Sequence, residues 1–179
     1  MKKATLLLLV FCMLLTLAGC GKPEEAPTTA LPETTFAVDG YALQITADSS
    51  FREDTGGSFD LQITNDKSYV SIMAYNYADL PEGTTARDVF DVQNNELLSK
   101  RDAVEEVEEV TTLELSHCQA MEALYIAERD GVKNYYDTFL LDFPESQVMA
   151  WVLVTATPSY ATSHRDHWTR IVFSLTPTR

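Results

Sequence analysis

Asp130 and Gly131 stand between two runs rich in strand-forming residues, 118–129 and 132–143. An Asp-Gly pair supplies the positive φ angles of a two-residue hairpin turn, whose twist matches that of the strands it joins. This dipeptide commits the chain to an antiparallel pair and hence to a sheet. The run 148–155 is apolar at both parities, as a strand covered on both faces must be, and reads as a central strand.

Other segments extend the sheet. Tyr41, Leu43 and Ile45 alternate with Ala42, Gln44 and Thr46, the period of a half-buried strand. Residues 52–58 are polar, carry Gly56 and Gly57, and read as a loop. Phe59, Leu61 and Ile63 alternate again, 65–68 is a turn, and 69–77 is rich in Val, Ile and Tyr, so the two runs form a hairpin. Between 104 and 110 a valine recurs at every third position, a period of neither strand nor helix. Thr111, Thr112, Leu113 and Leu115 favour extended backbone, which gives a strand over 106–116.

Two helices complete the reading. Leu80, Pro81, Glu82 and Gly83 break the chain, and Thr85 with Asp88 three residues on resembles a capping box. Ala86, Val89, Phe90 and Leu97 then follow at helical spacing, which predicts a helix over 86–100. Thr157 and Pro158 pair an N-cap with proline at the first helical position. Tyr160, His164, Trp168, Ile171 and Leu175 share one face of a helix over 158–175, ended by Pro177. The fold class is α+β: an antiparallel sheet of about six to seven strands covered by two helices. Element order and the closing amphipathic helix make residues 36–179 resemble the PsbP/Mog1-like family. That resemblance implies a role in assembly or in binding a protein partner. The better-known members assist photosystem assembly or bind a small GTPase's exchange machinery, and no motif here carries either activity.

The N-terminus reads differently. Lys2 and Lys3 precede an apolar stretch over 6–17, shorter than the ~20 residues of a spanning helix and suited to a secretory signal. Leu17, Ala18, Gly19 and Cys20 follow. These residues match the lipobox and resemble bacterial lipoproteins, whose cysteine thiol takes a diacylglycerol before the signal is cut. The resemblance implies a signal peptide over 1–19, a lipidated Cys20 as the membrane anchor, and a site on the extracytoplasmic face of the cell membrane. Each buried CH₂ contributes ~0.8 kcal/mol, so two or three chains hold durably where one does not. Residues 21–35 carry three prolines, four threonines and three glutamates, the composition of a flexible linker between Cys20 and a single domain over 36–179.

Charge narrows the partners. Thirteen basic residues face 27 acidic ones, a formal net charge of −14. That balance excludes phosphate-tracking nucleic-acid binding and polybasic membrane contact. Three cysteines, of which Cys12 leaves with the signal, make no disulfide scaffold.

Candidate chemistry is sparse. His164 and His167, at i and i+3 on one helix, are the candidate metal ligands, although His164 falls on the apolar face. His117 and Cys118 are adjacent, so in a strand their side chains diverge, and Cys118 reads as a small buried apolar group. Ser163, His164 and Asp166 have a triad's letters on a single helix without a G-x-S-x-G elbow. Glu105, Glu106, Glu108, Glu109 and Glu114 read as a solvated edge that resists strand aggregation, or as a weak cation or cationic-partner site. Tyr69, Tyr75, Tyr77, Tyr125, Tyr135 and Tyr136 half-bury their rings, or line a groove between sheet and terminal helix for a peptide or glycan. Signatures for nucleotide, thiol-redox and zinc-hydrolase chemistry do not occur in the sequence. The expectation is a non-catalytic, membrane-anchored lipoprotein without a cofactor. It binds a partner or aids assembly at the cell envelope. The alternative is a solute- or metal-binding lipoprotein, its small-molecule ligand unspecified.

Overall fold

The computed structural model describes residues 31–178. The signal segment, Cys20 and most of the linker lie outside the described residues. In chain order the elements are β1 (Glu33–Ala37), β2 (Leu43–Asp48), β3 (Arg52–Glu53), β4 (Leu61–Thr64), β5 (Ser68–Asn76), α1 (Ala86–Ser99), β6 (Asp102–Glu114), β7 (Gln119–Arg129), β8 (Val132–Phe143), β9 (Val148–Ala156), α2 (Pro158–Phe173) and β10 (Thr176–Pro177). Seven strands make the main sheet in the order β3-β4-β5-β9-β8-β7-β6, and β1-β2-β10 make a second, small one. Every strand pair among the described residues is antiparallel.

Asp130 and Gly131 have φ of 53° and 75°, and the register closes at Arg129 opposite Val132. This is the hairpin the dipeptide predicts. β9 lies between β5 and β8, and its two faces enter two different cores. Val148, Ala150, Val152, Val154 and Ala156 pack with Leu43 and Ile45 of β2 and with Ala161, Trp168, Ile171 and Val172 of α2. Met149, Trp151 and Leu153 pack with Val89, Phe90 and Leu97 of α1. Burial of each such large side chain contributes roughly 1.5–3 kcal/mol, so both helices are held by the strand that separates their layers.

α1 starts at the expected cap. The Thr85 side chain accepts from the Asp88 N–H, and the Asp88 carboxylate accepts from the Thr85 N–H. α2 starts at Pro158 with Thr157 before it, but the Thr157 side chain makes no capping bond.

Four boundaries differ from the sequence reading. Glu33, Thr34 and Thr35, assigned by composition to the linker, are the first residues of β1 and pair with Asp48, Ala47 and Thr46. The polar stretch read as a loop over 52–58 contributes β3 at its start. Pro177 does more than stop a helix: it pairs with Leu43 in β10, after α2 has ended at Phe173. The strand read over 106–116 runs over Asp102–Glu114 instead. Its period of three has a physical cause. The pairing of β6 with β7 slips between Asp102 and Glu105, between Glu106 and Glu108, and between Glu108 and Thr111. Each slip resets the two-residue alternation on which strand recognition depends.

Candidate functional site

Where α2 crosses the sheet, three adjacent strands each raise a carboxylate toward one guanidinium. β7 residues of even number and β8 residues of odd number face α2, as Ala120, Leu124, Tyr135 and Phe139 do. Glu122 and Asp137 fall on the same parities. Arg165 of α2 donates to both oxygens of Glu108 on β6 at 2.5 and 2.7 Å, and to Glu122 Oε1 at 2.7 Å. Its Nε lies 3.4 Å from Asp137 Oδ2. Arg165 thereby ties the terminal helix to β6, β7 and β8.

The cluster is graded in solvent access. Glu108 is half exposed, Glu122 and Arg165 are largely covered, and Asp137 is fully buried. Asp137 Oδ2 receives a long bond of 3.4 Å from Trp168 Nε1, and Oδ1 is buried with no hydrogen-bond partner. Burial, reinforced by the charge of Glu122, pushes the Asp137 carboxyl up to about 8, against the pull of Arg165 and Trp168. Glu108 moves the other way, because the Arg165 bonds hold its carboxylate below the ordinary range. Tyr135 is pushed up by burial and by Asp137. Asp137 is sealed beneath α2, and through Arg165 the cluster joins the helix to β6, β7 and β8.

The two candidate histidines, His164 and His167, meet different partners in the fold. The His164 ring stacks on Tyr160 with centroids 3.8 Å apart, and its Nδ1 lies 3.0 Å from the Tyr160 carbonyl. His167 Nε2 lies 2.7 Å from Asp48 Oδ2. Among the described residues no three His, Cys, Asp or Glu side chains group as metal ligands. Ser163 Oγ is 2.8 Å from His164 Nδ1, but both groups also meet the Tyr160 carbonyl, which fixes them to the helix. Cys118 is buried in the α2-side core, and burial pushes its thiol up to about 11. His117 stacks on Phe143 with centroids 6.1 Å apart.

The tyrosines are on the other side from the groove read for them. Tyr75, Tyr77, Tyr125 and Tyr136 pack in the α1-side core, and only Tyr135 of the six belongs to the α2-side core. Strand parity decides this, since Tyr75, Tyr125 and Tyr136 share the side of β9 that carries Trp151. Tyr136 is further used by Arg101, whose Nε donates to its hydroxyl at 3.0 Å while the guanidinium lies 5.1 Å from the ring centroid. Tyr77 donates a hydrogen bond to Asp142 beside an open surface hollow of about 550 Å³, lined by Asn76, Asp79 and Gln147 among others.

The acidic run lies along β6, the strand at one end of the main sheet. Eleven of its thirteen residues are exposed, and Val104 and Val107 are 45% and 44% exposed. Glu108 is spent on Arg165, and Glu105 is 4.0 Å from Lys133. Glu106, Glu109 and Glu114 have no ion pair among the described residues.

No family model matches the chain, and no curated protein matches it. Solved structures do. Cyanobacterial PsbP (CyanoP) of Synechocystis superposes with a TM-score of 0.61 at 8% identity, over 85% of this chain and 96% of its own. LpqN of Mycobacterium tuberculosis, described as involved in cell envelope biogenesis, gives 0.60 at 13% identity, over 83% and 91%. The Ran-binding protein Mog1p of Saccharomyces cerevisiae gives 0.57 at 7% identity, over 83% and 96%. The fold is PsbP/Mog1-like. The superpositions and their coverage of both chains agree with that resemblance in the sequence, while identities this low carry fold alone. Sequence reasoning gave Arg165 no role and missed Glu122 and Asp137 altogether. The signal was present: Asp137 lies between Tyr135 and Tyr136 on one side and Phe139, Leu140 and Leu141 on the other, and a carboxyl there needs a partner or a proton.

Proposed function

We propose that this protein is a non-catalytic lipoprotein, anchored through Cys20 at the extracytoplasmic face of the cell membrane, that docks a partner protein during assembly at the envelope. The observation that carries the docking role is β6, a thirteen-residue outermost strand with almost every side chain in solvent. The groups with chemical potential are engaged within the fold: Asp137 under α2, Cys118 in the core, His164 on Tyr160 and His167 on Asp48. LpqN, of like fold, is described by its envelope role, and Mog1p by its protein partner. Both descriptions support a docking module over an enzyme. The lipobox supports the anchor, and the net charge of −14 holds the domain away from anionic headgroups.

Two measurements test this reading. Mass spectrometry of the processed protein from its own cells is expected to show a diacylglycerol thioether on Cys20, and a bare thiol overturns the anchor. Photo-crosslinkers at Val107, Glu82 and Glu53 in intact cells are expected to recover one envelope protein reproducibly. Recovery of none from any position overturns the docking role.

A further inference from the structure

The two ends of the main sheet are built differently. β3 closes one end with two residues, whereas β6 leaves thirteen at the other, with no strand on its outer side among the described residues. The outer backbone groups of such an edge accept another strand. Bulges and charge are the usual guards against unwanted pairing, and β6 has both, unevenly placed. The three register slips fall between Asp102 and Thr111, while 111–114 pair regularly with 119–122. The last stretch therefore keeps a regular, unbulged edge. The bulged stretch beside it carries Glu106 and Glu109, and Glu114 closes the regular one.

The charges choose the occupant. A second copy of this chain would bring five glutamates against five, and like charges across a strand pair are destabilising. A strand bearing lysine or arginine meets Glu106, Glu109 and Glu114, none of them satisfied by an ion pair among the described residues. Val104 and Val107 offer the apolar surface on which long cationic side chains lay their stems. The strand is also held in place beforehand, since Arg165 of α2 grips Glu108 through two hydrogen bonds. A fixed template loses less ordering entropy on binding.

We propose that β6 takes an extended, lysine- or arginine-bearing segment of a partner protein as an eighth strand, paired along residues 111–114 and selected by Glu106, Glu109 and Glu114. This rests on the docking role above and adds the surface and the chemistry of the partner.

The test uses the full chain and a ten-residue peptide of alternating Lys and Val, with amide hydrogen exchange and titration calorimetry as readouts. The peptide is expected to slow exchange at amides within 111–114. Methylating the peptide's backbone nitrogens along one edge is expected to weaken binding at least tenfold, and so is the exposed double variant Glu106→Gln, Glu109→Gln. Unchanged affinity after backbone methylation reduces the interaction to diffuse charge attraction and overturns the proposal, as does protection confined to another strand. Failure here leaves the docking role standing if crosslinkers at Glu82 or Glu53 recover a partner; that role falls only when all three positions recover nothing.

Discussion

Arg165 Nε lies 3.4 Å from Asp137 Oδ2, yet Asp137 titrates far above an ordinary carboxyl, pushed up to about 8 from 3.8. Desolvation wins because Asp137 is fully buried, and because Arg165 spends its direct hydrogen bonds on Glu108 and Glu122. The consequence is a stability that depends on pH. The folded protein keeps a proton that the unfolded chain has lost above about pH 4. Unfolding between about pH 4 and 8 therefore releases a proton, and stability falls as pH rises through that window. The fall is at most about 1.4 kcal/mol per pH unit, and it levels off above about 8. Asp137→Asn has no such proton to lose. Urea melts at pH 5, 6, 7, 8 and 9 are expected to show the wild type losing stability relative to Asp137→Asn up to about pH 8. Parallel profiles would disprove the buried proton.

Removing the guanidinium should cost far more than removing its outermost partner. Arg165→Ala leaves Glu122 and Asp137 facing each other under α2 without a cation, and breaking a largely buried pair in this way costs about 3 kcal/mol or more. Glu108 is half exposed, so Glu108→Gln should cost no more than about 1 kcal/mol. Chemical denaturation of both variants at one pH checks the ranking. Equal losses would mean that the surface half of the cluster bears the load.

The legible parts of this fold were those that local chemistry decides. Asp130 and Gly131 set a turn, Thr85 and Asp88 set a helix start, and the double-sided apolar run of β9 set the centre of the sheet. β6 was half legible, because bulges erased its alternation. β1 and β10 were hidden for another reason: Glu33, Thr34 and Thr35 look like linker, and Pro177 looks like a stop. Their strand character comes from pairing with β2, a contact far off in sequence for β10. The Arg165 cluster needed three strands and a helix in register before its members met. Residue spacing along the chain has no access to that.

On the other face of the sheet, Trp151 Nε1 donates to Asn94 Oδ1 at 3.0 Å, with both residues buried. The indole N–H is a donor with no acceptor capacity, so it needs this amide. Asn94→Leu fits the apolar face of α1 but orphans the donor, at a cost of about 1–3 kcal/mol. Asn94→Asp restores an acceptor and should recover part of the loss above the pH at which it ionises. Tryptophan fluorescence during denaturation, emitted by Trp151 and Trp168 together, reads the stability. A neutral Asn94→Leu variant would mean that the indole finds another acceptor.

Cys118 combines a buried position with a thiol pushed up to about 11 by burial first and by Asp142 second. At pH 8 roughly one thiol in a thousand is then ionised, and the thiolate is the reactive form. Alkylation of Cys118 by iodoacetamide, followed at its own peptide by mass spectrometry, should be at least a hundredfold slower in the folded chain than in urea. Opening of the fold is then the only route to modification, so the rate should track global stability across the Arg165 and Asn94 variants. A fast reaction in native buffer would place the thiol at the surface and return Cys118 to the roster of chemically competent groups.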